Sequence, residues 1–175
     1  MFELVPELRI GDVLEVEGTS VRIELSGELD ELTKTYGGHV YDVGQVGSLI
    51  KIHHGRRILL AYVRMLRMKY EEEDEEGSFR ATTSEDARLL EGDLFGEGIW
   101  RSTEDRFLFH RGVKTYPLPG QHAYLATRRE LREVYEGAQR AHAEASADEE
   151  VSLIKVGSYF GTEAADCRLD VDRLF

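Results

Sequence analysis

Leu14-Glu15-Val16-Glu17-Gly18-Thr19-Ser20-Val21-Arg22-Ile23-Glu24-Leu25 reads as two short strands folded back on each other. Apolar and charged residues alternate in Leu14 to Glu17 and again in Val21 to Leu25. Period-two alternation puts one face of a strand in a core and the other in water. Gly18-Thr19 stands between the two runs, where a tight hairpin needs a residue tolerant of positive φ.

The pattern recurs downstream. Ser48 to His53 and Arg57 to Met68 make a second predicted hairpin around His54-Gly55-Arg56. Its second arm, Ile58-Leu59-Leu60-Ala61-Tyr62-Val63, is apolar on both faces. Such a strand is covered on both sides, by its own domain or by a neighbouring subunit. Residues 26–40 are polar and glycine-containing and read as a loop, and Glu71 to Glu76 as a solvated acidic run. Ala87 to Ser102 and Arg106 to His110 are strand-like, with Gly92, Gly96 and Gly98 suggesting bulges or turns. Tyr116-Pro117-Leu118-Pro119-Gly120 is a turn, and Val151 to Val156 and Arg168 to Val171 are the last predicted strands.

One helix stands out. Thr127 with Glu130 forms a capping box, which satisfies two orphaned amides at a helix start. Leu131, Val134, Tyr135, Ala138 and His142 then recur at helical spacing, while Arg132, Glu133, Glu136 and Arg140 fall on the other face. Short strands, glycine turns and a single helix predict a mainly β chain: a small closed β-barrel with one amphipathic helix and a strand/loop elaboration. The expected layout is one domain over 1–175, with barrel strands at about 10–68 and 151–172, the elaboration at about 77–126 and the helix at about 128–144.

The chain has 175 residues and a formal charge of -12, which repels phosphate backbones and makes the domain as a whole a poor nucleic-acid binder. A lone cysteine, Cys167, forms no intrachain disulfide and fits a reducing compartment. The acidic start, MFELVPELRIGD, lacks the basic, apolar character of a signal peptide, and no stretch is long and apolar enough to span a bilayer. A cytoplasmic location is expected.

Catalytic signatures are absent from the sequence. There is no Gly-Lys dipeptide and so no P-loop, and Gly92, Gly96 and Gly98 are spaced wrongly for a dinucleotide fingerprint. His53 and His54 are adjacent on a predicted strand and point to opposite faces, while His39, His110, His122 and His142 have no partner at ligand spacing. Cys167 lies among acids in Ala-Asp-Cys-Arg-Leu-Asp and reads as a structural rather than a reactive thiol. No catalytic, cofactor or metal site is expected in these residues.

One charge feature does suggest contact. Between Val43 and Lys69 no acid occurs, while Lys51, Arg56, Arg57, Arg64, Arg67 and Lys69 do. This reads either as a basic strand edge that discourages aggregation, or as a stripe that meets an acidic neighbouring subunit or DNA. Lys51, Arg56, Arg57, Tyr62 and Arg64 are the candidate oligomer or partner interface.

The order of several short motifs carries a resemblance. Gly11-Asp12-Val13-Leu14-Glu15-Val16-Glu17-Gly18 is followed by Val46-Gly47-Ser48-Leu49-Ile50-Lys51-Ile52 and Leu90-Glu91-Gly92. Then come Phe109 to Gly120, Ile154-Lys155-Val156-Gly157 and Leu169-Asp170-Val171-Asp172-Arg173-Leu174. From about Ile10 to Leu174, this succession resembles the HAS-barrel domain that precedes the ATPase core in HerA-like proteins of the FtsK/HerA superfamily. Gly47 reads as a kink at a barrel corner; Arg111, Gly112, Tyr116, Pro117, Pro119 and Gly120 read as a rigid structural turn in which the tyrosine packs. The resemblance implies a barrel that caps a hexameric ring of DNA-translocating ATPase domains and docks an effector. That effector would be the nuclease NurA in DNA end resection, or a nuclease or sirtuin-type NAD hydrolase in antiphage defence. ATP, Mg and most DNA contact would belong to a core that in the family follows a short way beyond the segment matching Leu169 to Leu174, so the chain is expected to be either an excised domain or a solitary barrel. The competing expectation is an OB-like barrel that binds single-stranded nucleic acid through the basic stripe and Tyr62.

Overall fold

A computed structural model describes residues 4–27, 29, 31–68, 88–101, 103, 106–145, 153–158 and 166–171. A 3-10 turn, Pro6–Leu8, leads into β1 (Arg9–Glu17) and β2 (Ser20–Leu25). There follow β3 (Thr33–Tyr36), β4 (His39–Asp42), β5 (Leu49–His54) and β6 (Arg57–Arg67). Next come β7 (Leu89–Arg101), β8 (Arg106–Arg111), β9 (His122–Leu125), the helix α1 (Arg128–Ala145), β10 (Leu153–Ser158) and β11 (Asp166–Asp170).

Six antiparallel strands close into a barrel in the order β2-β1-β9-β5-β6-β7, with β7 returning to pair with β2. Closure removes the exposed strand edges of an open sheet. The sequence that permits it is β7, which is long enough to have two neighbours on one side. Leu89 to Asp93 pair with β2 and complete the barrel, whereas Gly96 to Arg101 leave it and pair with β8. The change of partner coincides with a bulge: Leu60 faces Gly96 and Ala61 faces Leu94, so Phe95 is the extra residue. Gly96 and Gly98 have a steric purpose beyond this bend. A Cβ at Gly96 would lie 2.4 Å from the Phe109 ring, and one at Gly98 would lie 2.1 Å from Phe107.

Two apolar layers result. Inside the barrel Val13, Ile23, Ile50, Ile52, Leu59, Val63 and Leu90 form the main core. On the outer wall Ile58, Leu60 and Phe107 pack with Val134 of α1, and Phe95, Trp100 and Phe109 flank them. The doubly apolar arm 58–63 is therefore covered within this chain on its inner face and, except at Tyr62, on its outer face: Leu59, Ala61 and Val63 point inward, and Ile58 and Leu60 lie beneath β8 and α1. The capping box forms as the sequence indicates. Thr127 N donates to Glu130 Oε2 at 2.8 Å, and Glu130 N donates to Thr127 Oγ1 at 3.2 Å.

The closed barrel with one helix agrees with the sequence reading, but its strand membership differs. Strands β10 and β11, expected in the barrel, pair with each other as a separate two-stranded sheet. Their places are taken by β7 and β9, from the stretch expected to be an elaboration. β9 has only four residues, too few for a periodic signal, yet it is held on both edges by β1 and β5. Residues 26–40 are not all loop: Gly37 and Gly38, at φ 57° and 77°, turn a polar hairpin of β3 and β4. In β1 a register shift between Val13 and Glu15 puts Leu14 outside, 43% exposed, although the alternation had placed it in the core. The acidic run 71–76 lies outside the described residues.

The tightest backbone approach is at Gly11, where a Cβ would sit 2.0 Å from the Glu24 carbonyl oxygen. Gly11→Ala should destabilise the fold by about 3 kcal/mol in urea unfolding, since neither backbone can yield cheaply. Gly27→Ala, which meets nothing within 4 Å, should be nearly neutral. Equal midpoints for the two variants would refute the close β1–β2 contact.

Candidate partner interface

The five residues of the expected interface have different fates. Lys51 is not on the surface at all. It points outward from β5 but is fully buried, beneath α1, with its Nζ 2.5 and 2.7 Å from the two oxygens of Glu130. The carboxylate that caps the helix thus also neutralises a buried lysine. Sequence pattern could not show this, because an alternating strand with one charge is ordinarily wet on that face and nothing local announces a covering helix.

Arg57 and Arg64 are half-exposed but paired. Arg57 lies at the rim of the barrel and bonds Glu97, which is 3% exposed and also accepts the amides of Lys114 and Thr115 at 3.2 Å each. Arg64 donates to Glu91 at 2.9 Å and approaches Asp93 at 3.9 Å. Arg22 and Arg67 close on the same Glu91 at 3.7 and 4.0 Å, and Arg22 also reaches Glu15 at 2.5 Å. The basic stripe is therefore one side of a cross-strand charge ladder whose acids come from β1 and β7. It is not a strand edge, since β5 and β6 have neighbours on both sides. Of the stripe's described residues only Arg56, exposed at the β5–β6 turn, has no ion pair. Glu91 and Asp93 alternate along β7 ahead of the bulge, and that spacing was the available signal for their part of the ladder, whereas Glu97 lies beyond the bulge with the phase reversed.

Tyr62 is 36% exposed on the outer wall and stacks on Phe95, with ring centroids 4.0 Å apart and planes at 26°. Phe95 in turn leans on Phe109 at 5.7 Å. This aromatic row carries the outer apolar layer to the surface, where the charge ladder borders it.

The turn motif behaves as scaffold. Gly47 (φ 87°) donates its amide to Val63 O at 2.8 Å and kinks the chain into β5. Gly112 (φ 79°) bonds Phe95 O at 2.7 Å, and Gly120 (φ 84°) bonds Val13 O at 2.7 Å. Pro117 is buried and Pro119 exposed. Arg111 is exposed, and Tyr116, expected to pack, is 47% exposed instead. The stretch is held by its backbone bonds to Glu97, so the tyrosine ring is not needed to fix it.

Two histidines sit in polar surroundings beside β9. Asp12 accepts from Arg9 at 2.8 and 2.7 Å and lies 2.5 Å from His122 Nδ1, tying β1 to β9. Burial acts to raise the Asp12 pKa, but the bonds from Arg9 and His122 outweigh it and hold the carboxyl below its usual range. His53 stacks edge-on against Tyr124, and its Nε2 is buried with no hydrogen-bond partner. Burial first, and the positive Lys51 second, push its pKa down to about 4. Among the described residues no three His, Cys, Asp or Glu side chains gather to hold a metal, Cys167 is a free, partly buried thiol, and no helix is long and apolar enough to cross a membrane. Compared with known proteins, the chain matches no family model and no curated relative.

Two outcomes follow from these buried groups. Lys51→Met should cost about 3–5 kcal/mol by leaving Glu130 buried without its cation, and adding Glu130→Gln should recover part of that loss. Additive losses in urea unfolding would refute a coupled pair. For His53 the unfolded chain binds the proton more tightly than the folded one between pH ~4 and ~6.5, so stability falls as pH drops through that window. His53→Gln should flatten this slope in thermal melts, and an unchanged slope would assign it to other groups.

Proposed function

We propose that this chain is the N-terminal oligomerisation and partner-docking barrel of a HerA-type hexameric ATPase that acts in DNA end processing or antiphage defence. The observation that carries the reading is where the barrel spends its charges and its aromatic rings. Lys51, Arg57 and Arg64 are committed to carboxylates of the same chain, whereas the Tyr62–Phe95 pair continues an apolar layer out to solvent. A nucleic-acid platform needs free cations beside its stacking rings, but here the cations next to Tyr62 are already neutralised. A protein surface that docks through aromatic anchors with a charged rim needs what is present.

The resemblance of the ordered motifs to HAS barrels supports the same reading, and Gly47, Gly112 and Gly120 of those motifs each take a positive φ. In this proposal ATP and Mg are handled by a companion ATPase core, and the effector is a nuclease or a sirtuin-type NAD hydrolase. The domain works in the cytoplasm and meets DNA only through that core.

The test is the mass of the domain in solution, alone and mixed with candidate nuclease or NAD-hydrolase partners. Wild type should run as an oligomer or capture a partner, and Tyr62→Glu should lose that assembly with little change in melting temperature, as expected of a surface substitution. A strict monomer that ignores every partner but binds labelled oligothymidine at physiological salt would overturn the proposal in favour of a nucleic-acid barrel.

A further inference from the structure

Closure leaves the barrel without a free edge, but the β3–β4 hairpin has one. Its register pairs Thr33 with Asp42, Lys34 with Tyr41, Thr35 with Val40 and Tyr36 with His39. Just beyond it, Val43 N donates to Leu32 O at 2.8 Å. Bonded and non-bonded pairs alternate along an antiparallel ladder. The pairs at Leu32/Val43, Lys34/Tyr41 and Tyr36/His39 are then the bonded ones, and the amides and carbonyls of Val40 and Asp42 point away from β3. No strand pairs with that edge among the described residues.

The edge borders a cleft. Val40 and Asp42 form one wall and α1 the other, with Arg128, Leu131 and Tyr135 contributing from one helical face and Leu49 and Leu125 also lining it. Past Tyr41 and Arg128 the cleft continues into a depression of about 360 Å³ bordered by Tyr36, His39 and Arg129. Val40 is 62% exposed at this edge. Ser48, on the same cleft, has a buried hydroxyl with no hydrogen-bond partner.

Charge gives the cleft a direction. In a chain of net charge -12, Arg128 and Arg129 are exposed and have no ion pair among the described residues. They stand at the His39 end, on the first turn of α1, where the helix dipole also favours an anion. Asp42 lies at the opposite end of β4. A strand running antiparallel to β4 would start near Asp42 and finish near His39, so its carboxylate end would meet the arginines.

We propose that the cleft between the open edge of β4 and α1 takes an extended peptide of another protein as a third, antiparallel strand, with its terminal carboxylate received by Arg128 and Arg129. Backbone bonds to Val40 and Asp42 supply the register, alternate side chains enter the apolar floor, and the arginines select for the free end. The four residues of β4 match a peptide segment of about four residues at roughly 3.4 Å each. The site deepens the partner-docking reading without resting on ring assembly: solution mass reports assembly and peptide titration reports this cleft, so either can fail alone.

A library of random heptapeptides with free C-termini, selected against the full chain, tests it. Enriched peptides should alternate apolar residues toward a free carboxylate, and titrating them into the ¹⁵N-labelled protein should shift and slow exchange of the Val40 and Asp42 amides. Val40→Pro removes an outward amide without breaking a β3–β4 bond, and should weaken binding about tenfold or more. Arg128→Glu with Arg129→Glu, or amidation of the peptide terminus, should cost about tenfold as well. The proposal is overturned if no peptide is enriched, if enriched peptides bind the Val40→Pro protein unchanged, or if oligothymidine alone binds and only the arginine substitutions abolish it.

Discussion

A lysine side chain buried on the wall of a barrel requires a carboxylate to be brought to it, and that requirement fixes where the helix sits. Lys51 is fully buried, and the group that meets it, Glu130, is already held by the capping box at the start of α1. One carboxylate therefore sets the helix start, its docking point and the charge balance of the outer wall. Desolvating two ions is costly, and an apolar pair of the same volume would often be as stable. What the ion pair adds is specificity: the apolar contact of Val134 with Leu60 and Phe107 is non-directional, whereas a shift of α1 would leave Lys51 unpaired. The outer layer, the cleft beside β4 and the place of Arg128 and Arg129 all depend on that registration.

The other charges follow the same economy on the surface. β7 carries Glu91 and Asp93 at alternate positions before its bulge and Glu97 after it, and arginines of β2 and β6 meet them. Glu97 does more than pair with Arg57, because its second oxygen holds the amides of Lys114 and Thr115 and so pins the long connection between β8 and β9. An acidic chain with so many internal pairs keeps few cations for partners. Among the described residues Lys34, Arg56, Arg111, Lys114, Arg128 and Arg129 have no ion pair, and of these Arg128 and Arg129 are the two that stand together beside the cleft at β4.

How much of this was legible in the sequence depended on whether a signal was local. The β1–β2 and β5–β6 hairpins were readable because alternation and turn glycines lie within a dozen residues, and the helix because its capping box and period do. The doubly apolar arm 58–63 announced cover on both faces, which holds except at Tyr62, though not that β8 and α1 provide it. Lys51 was misplaced because its burial depends on a residue 79 positions away. β9 escaped notice since four residues between two neighbours need no pattern of their own, and β3–β4 since both faces are polar. β10 and β11 look like better barrel strands than β9, with alternating Ile154, Lys155 and Val156, yet pairing partners and not propensity decide membership. The candidate interface was half legible for the same reason: composition revealed the basic stripe, but only register revealed the acids that neutralise it.

Barrel closure also decides where this protein can make new contacts. A closed sheet has no backbone groups to offer, so recognition through it must use side chains, as at Tyr62 and Phe95. Backbone recognition is left to strands outside the barrel: the outer edge of β8 and the β3–β4 and β10–β11 hairpins. The β10–β11 hairpin exposes Ile154, Val156 and Leu169, but it borders no described cleft, and its Lys155 and Arg168 are already bonded to Asp166. The β3–β4 hairpin combines an open edge, an apolar floor and two uncommitted arginines beside a helix start. Those features constrain different parts of a ligand, namely its backbone, its alternate side chains and its end, and their convergence on one cleft is what separates β4 from an ordinary exposed strand.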